Sequence, residues 1–121
     1  MTHQRDHLFH VLLKSSHPLS IEQLIPLVDS HFVSVYRNVQ ELRKVGVIKQ
    51  VPLGLKYSYE LSDMFKPHHH HISCDGCSAV SGIDDEEIER LIDSAAVRAG
   101  YRPTGHSLEM RGICRNCRVT D

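Results

Sequence analysis

The sequence predicts an α+β chain in which a winged helix-turn-helix is followed by a small α/β unit. Three observations carry that prediction. The first 45 residues hold three apolar repeats at helical spacing, a two-strand pattern follows directly, and the four cysteines form two equally spaced pairs, Cys74/Cys77 and Cys114/Cys117. Composition sets the expected boundaries: residues 1–61 for the winged helix, a polar hinge over 62–67, and 68–121 for the cysteine-bearing half.

Leu8, Val11 and Leu12 recur through Gln4 to Ser16 with charged residues between them, which predicts a first helix with one buried face. His17-Pro18-Leu19 breaks that pattern. Ser20-x-x-Gln23 is a capping-box signature, and it starts a second helix carrying Ile21, Leu24 and Ile25. Pro26 is expected to end or kink that helix early. A third helix begins near Ser30 or His31 and runs to Val45, with Val35, Val39, Leu42 and Val45 along one face and Gly46 as its C-terminal cap. On its exposed side stand Ser34, Tyr36, Arg37 and Asn38. Such side chains contact phosphates and base edges in a major groove, although the same residues also suit an ordinary solvated face. Val47 to Val51 and Lys56 to Leu61 read as two strands joined by a turn over 52–55, the hairpin that makes a helix-turn-helix winged.

The second half opens with His68 to His71 as a strand running into the first cysteine pair, and Ser78 to Ile83 forms a second strand. A helix capped by Asp84 or Asp85 follows, with Ile88, Leu91, Ile92, Ala95, Ala96 and Ala99 on one face and Gly100 at its end. The last strand, Ser107 to Ile113, delivers the second pair. Two or three strands with one helix bury little by themselves, so pairing with a second copy, a homodimer, is expected.

Two residues between thiolates let both sulfurs turn to one side of a tight knuckle, and two knuckles build a tetrahedral sulfur cage for zinc. The residues alone also allow two disulfides or unpaired thiols. The histidine run lies inside the chain, where an expression tag does not. Closing such a cage is worth roughly 10 kcal/mol or more, comparable to the whole net stability of a small domain. With 40% hydrophobic residues and no Trp, this chain needs a staple of that kind or an oligomer interface. The net charge of -1 identifies no partner. No signal-peptide pattern and no apolar run of bilayer length occur, so no membrane partner and a cytoplasmic location are expected, and there paired cysteines hold metal more often than they form disulfides.

Several runs stand in fixed order: Ser34-Val35-Tyr36-Arg37-Asn38-Val39, Gly46-Val47-Ile48, Tyr59-Glu60-Leu61, His68-His69-His70-His71-Ile72-Ser73-Cys74-x-x-Cys77, His106-Ser107-Leu108-Glu109 and Gly112-Ile113-Cys114-x-x-Cys117. Over nearly its whole length the chain resembles the Fur family, the ferric uptake regulators and their zinc-, manganese- and peroxide-sensing relatives. The resemblance implies a dimeric, metal-dependent transcription factor, usually a repressor, and not an enzyme. Its parts would be a winged helix-turn-helix that binds an operator in double-stranded DNA and a C-terminal dimerisation domain with a four-cysteine zinc site. Cys74, Cys77, Cys114 and Cys117 match the structural zinc ligands. His69, His71 and Glu60 match ligands of the regulatory site between the domains, with His17 as a looser match from the DNA-binding half. His68, His70, Glu89 and His106 match a further site inside the dimerisation domain. Strand alternation accounts for the split, because His68 and His70 face one side while His69 and His71 face the other.

One position departs from the family pattern. Iron- and peroxide-sensing members carry a carboxylate where this chain has Gly82, and glycine cannot ligate. The regulatory site must then work with fewer ligands, recruit Asp63 or water, or hold an ion content with four donors. That tilts the sensed ion towards Zn2+, with Fe2+ and then Mn2+ as the other candidates. It also weakens the alternative of a peroxide-sensing regulator. Two rivals from other classes are a zinc metalloenzyme built on the histidine cluster, for which no substrate cleft is suggested, and a metal buffer, which leaves the first half without a purpose. The expected mechanism is interdomain: an ion bound between the halves fixes their angle, and hence the separation of two recognition helices that must lie about 34 Å apart on DNA. Ligating histidines must be neutral, so ion binding is expected to weaken below about pH 6.

Overall fold

Helix α1 (His3–Lys14) buries Leu8 and Leu12, α2 (Ile21–Leu27) buries Ile21 and Leu24, and α3 (Phe32–Lys44) buries Val35, Val39 and Leu42. A computed structural model describes these and the other elements over residues 3–54, 56–66 and 69–118. The capping box forms: the Ser20 N–H donates to Gln23 Oε1 at 2.9 Å and the Gln23 N–H to Ser20 Oγ at 3.2 Å. Pro26 falls in the last turn of α2, and the helix ends one residue later. Gly46 adopts φ +84° just after α3, a conformation that costs glycine little and lets the chain reverse into the first strand.

That strand, β1 (Ile48–Leu53), pairs antiparallel with β2 (Lys56–Leu61), placing Ile48 opposite Leu61 and Lys49 opposite Glu60. Leu19 forms a bridge to Tyr59 through two backbone hydrogen bonds of 2.9 and 2.8 Å. The hairpin is thereby fastened to the α1–α2 connection. Ile48, Tyr59 and Leu61 then close one apolar core with the buried residues of the three helices.

A second sheet has the order β4-β3-β5. β3 (His70–Cys74) lies at its centre, antiparallel to β4 (Val80–Ile83) and parallel to β5 (Glu109–Gly112). β4 is shorter than the sequence pattern suggests because the turn after Cys77 consumes Ser78 and Ala79. Ser78 takes φ +65°, its N–H bonds to Cys74 O at 2.9 Å, and the Cys74 N–H bonds to Ala79 O at 2.8 Å. Helix α4 (Glu86–Arg98) connects β4 to β5, with Asp85 accepting from the N–H groups of Glu87 and Ile88. None of its residues is fully buried within one chain; Leu91 and Val97 remain 59% and 62% exposed. Among the described residues no helix is long and apolar enough to cross a membrane.

Candidate metal centres

Three groups of ligand-type side chains form among the described residues, each with donor atoms within 4.8 Å of one another: Cys74, Cys77, Cys114 and Cys117; Glu60, His69 and His71; and His70, Glu89 and His106. Strand β3 takes part in all of them. Alternation turns His70 to one side and His69 and His71 to the other, while Cys74 ends the strand at the first knuckle.

In the cysteine group, Cys74 Sγ accepts from the backbone N–H groups of Gly76 (3.2 Å) and Cys114 (3.3 Å), and Cys77 Sγ lies 3.7 Å from Cys114 Sγ. Backbone N–H groups, that of Cys114 first, hold the Cys74 thiol down at about 6, whereas the neighbouring thiols, Cys114 first, push Cys117 up to about 12. Four sulfurs this close cannot all be thiolates without a cation among them, and that is the donor set zinc takes. Gly76 belongs to the same cage. A Cβ there would lie 2.9 Å from Cys117 Sγ and 3.2 Å from Cys117 Cβ. Gly76→Ala is therefore expected to displace a cluster sulfur and cost about 1–3 kcal/mol, the usual range for overpacking. Faster zinc loss to a chelator and a lowered Tm would register it.

The second group joins the two sheets. Glu60 comes from β2, His71 from β3, and His69 immediately precedes that strand. Glu60 Oε2 lies 3.3 Å from both His69 Nε2 and His71 Nε2, and the two imidazoles meet edge to face at 4.5 Å. His71 Nε2 is buried without a hydrogen-bond partner of good geometry. A buried ring nitrogen left without a hydrogen bond is costly, and one that faces a carboxylate oxygen and a second imidazole fits a cation between them. Lys49 Nζ stands 3.3 Å from Glu60 Oε1 and 2.8 Å from Asp63 Oδ1, so Asp63 is engaged with that ammonium.

Burial works to lower the His71 pKa, but contact with Glu60 and the charge of Glu109 outweigh it and hold it above the usual 6.5. For Glu60, burial works upward, and His71, Lys49 and His69 outweigh it and hold the carboxyl below 4.5. The signs differ for folding and for ion binding. In the metal-free protein the His71 contribution to stability is complete below pH 6.5 and lost as pH rises through the raised value. The Glu60 contribution is complete above pH 4.5 and lost as pH falls through the lowered value. An ion must displace any His71 proton, so affinity at this group should fall about tenfold per pH unit below the raised His71 pKa. The decline thus begins above 6.5, earlier than the expected pH 6. Zinc titrations at a series of pH values measure it.

In the third group His70 Nε2 lies 2.5 Å from Glu89 Oε1, His106 Nε2 lies 2.9 Å from Glu89 Oε2, and the two ring nitrogens are 3.2 Å apart. Glu89 reaches them from the start of α4. His68 lies outside the described residues. His17 stands apart from all three groups, with its Nδ1 2.9 Å from the Pro18 carbonyl oxygen.

On α3, Tyr36 and Arg37 are exposed, and Tyr36 stacks on Phe32 at 5.9 Å. Ser34 and Asn38 face α1 instead. Both donate to Gln4 Oε1, at 3.1 and 3.2 Å, and Asn38 Oδ1 accepts from Arg5 Nε at 3.1 Å. The sequence reading missed Lys49, Gly76 and Glu109. Lys49 follows from Glu60 once the hairpin register is known; the other two become visible only when β5 is seen beside β3.

The sequence model of the ferric uptake regulator family matches residues 1–111. The ferric uptake regulation protein of Campylobacter jejuni is 29% identical over 100 residues, covering 82% of this chain and 62% of the relative. That of Neisseria meningitidis is 32% identical over 93 residues, covering 76% and 63%. The chain thus spans less than two thirds of the length of these curated relatives. Among solved structures, the Helicobacter pylori ferric uptake regulator Fur, described as having three functional metal binding sites, superposes with a TM-score of 0.86 at 26% identity, covering 98% of this chain and 81% of that one.

Proposed function

The chain belongs to the ferric uptake regulator family, and on that premise we propose that it is a homodimeric transcriptional regulator, a repressor of metal-homeostasis genes. Its grip on an operator depends on a divalent ion at Glu60, His69 and His71. The observation that carries this reading is Glu60 Oε2 at 3.3 Å from both His69 Nε2 and His71 Nε2, the latter buried without a hydrogen-bond partner of good geometry, in a group whose members come from both sheets. Residues 1–61 act as a winged helix-turn-helix, with α3 as the recognition helix, 62–67 as the hinge and 68–121 as the dimerisation half. Exposed Tyr36 and Arg37 supply DNA contacts; Ser34 and Asn38 set the pose of α3 on α1 and present their remaining polar atoms to the backbone of the duplex.

A bound ion would supply a positive charge that ties Glu60 to the two imidazoles. Glu60 anchors the hairpin end of that tie, and His69 and His71 anchor the β3 end. We keep His17 as the ligand from the first half, one that a change of angle at the hinge must bring in. Cys74, Cys77, Cys114 and Cys117 hold structural zinc. His70, Glu89 and His106, with His68, form an additional site. Three nitrogen and oxygen donors, with glycine at position 82, suit Zn2+ before Fe2+ or Mn2+.

The test is a DNA titration. A duplex selected from a random library with zinc-loaded protein is titrated with wild type and Arg37→Ala, with and without a chelator too weak to strip the cysteine cage. Wild-type binding should need the ion, and Arg37→Ala should bind weakly at unchanged metal content. Equal binding by wild type with and without chelator would overturn the reading.

A further inference from the structure

We infer that Glu109 is a positioning residue for the Glu60, His69 and His71 group: it takes the Nδ1–H of His71 and so leaves the Nε2 lone pair free to face the ion. The inference rests on the reading above and gives a role to a residue that stands in the matched run but to which the resemblance assigns none. His71 is 2% exposed, so its ring has few partners to choose from. Its Nδ1 lies 3.1 Å from Glu109 Oε2, and its Nε2 lies 3.3 Å from Glu60 Oε2. A neutral imidazole carries one N–H, and an ionised carboxylate can only accept. The two carboxylates therefore compete for a single proton. If Glu60 wins, the hydrogen sits on Nε2 and blocks the nitrogen that a cation needs. If Glu109 wins, Nε2 is a free donor aimed at Glu60 and His69.

The geometry favours Glu109. The shorter contact is at Nδ1, and Nε2 is left without a hydrogen-bond partner of good geometry. Sheet register fixes this arrangement, since His71 pairs with Glu109 on β5 and with Gly82 on β4. One flanking strand offers a carboxylate and the other no side chain at all. Negative charge behind a ligating histidine also raises its basicity, and loss of such a partner typically costs about 10–100-fold in metal affinity.

The test uses the full chain, with zinc ion as probe. Zinc is titrated against a competing chelator and followed at the ring nitrogens of His69 and His71 by 15N NMR, which separates this group from the cysteine and His70, Glu89 and His106 groups. Glu109→Leu should lower affinity by about 10–100-fold and move the metal-free His71 from the Nδ1–H to the Nε2–H tautomer. Glu109→Gln, whose amide oxygen can still accept, should lose less and keep the Nδ1–H form. A purely structural role would lower Tm while leaving tautomer and affinity unchanged. Wild-type affinity in both variants overturns the inference, as does an Nε2–H tautomer in the metal-free wild type, which needs no variant to fold. His71→Ala separates the two levels: if zinc still binds His69 with wild-type affinity in that variant, the site reading itself fails.

Discussion

Cys114→Ser is expected to unfold β3, β4, β5 and α4 while leaving the helices of the first half folded. Among the described residues every fully buried apolar side chain lies between Leu8 and Leu61, except Cys74. The second half thus has little apolar core of its own, and its helix buries no residue fully within one chain. A structural zinc site contributes roughly 10–16 kcal/mol of apparent binding energy. A small domain's net stability is about 5–15 kcal/mol, so losing one thiolate removes what that half can least replace. Hydrogen exchange resolves the outcome by element: protection should vanish in β3 to β5 and persist in α1 to α3, with zinc content falling in step. A Cys114→Ser protein with wild-type zinc content and uniform protection would show that the cage does not carry the fold.

The second large effect is expected from Glu60→Ala. This one carboxylate links three partners, His69 and His71 through Oε2 and Lys49 near Oε1. Its removal leaves two imidazoles at the start of β3 and nothing of the group on the hairpin. Zinc affinity there should fall by at least about 100-fold, more than the loss of a residue that only orients a ligand. The metal response of DNA binding should disappear, because an ion touching only one side cannot distinguish between two interdomain arrangements. The cysteine zinc should stay. Lys49 keeps its 2.8 Å contact with Asp63, so the fold loses little. Paired titrations with zinc and then DNA check both statements, and an intact metal response in Glu60→Ala would remove Glu60 from the regulatory set.

Much of this was legible in one dimension because the deciding interactions are local. The Ser20/Gln23 capping box, the Val35, Val39 and Leu42 face and the glycine after α3 each involve residues a few positions apart. The Cys-x-x-Cys spacings and the alternation of the histidines are local too, whereas the assignment of Glu60, Glu89 and His106 to those histidines came from the family resemblance. Where neighbours come from distant segments, the sequence reading stops short. Ser34 and Asn38 were read as outward-facing, but the angle at which α1 crosses α3 brings Gln4 and Arg5 against them. Glu109 sits 38 positions from His71 and meets it only because β5 lies parallel to β3. Gly76 looks like a generic turn residue until Cys117 arrives 2.9 Å from its missing Cβ.

The placement of His70 and His71 on β3, with His69 just before it, sets a constraint on spacing as well as on identity. Gaining or losing a single residue within β3, between His71 and Cys74, would keep the cysteine knuckle in place yet turn His70 and His71 towards the opposite faces of the sheet. Glu60 would then confront the histidine meant for Glu89, and the reverse. The distance from the histidines to the first knuckle can therefore drift only in even steps, whereas the connector between Ser62 and His69 can change length without altering which histidine meets which carboxylate.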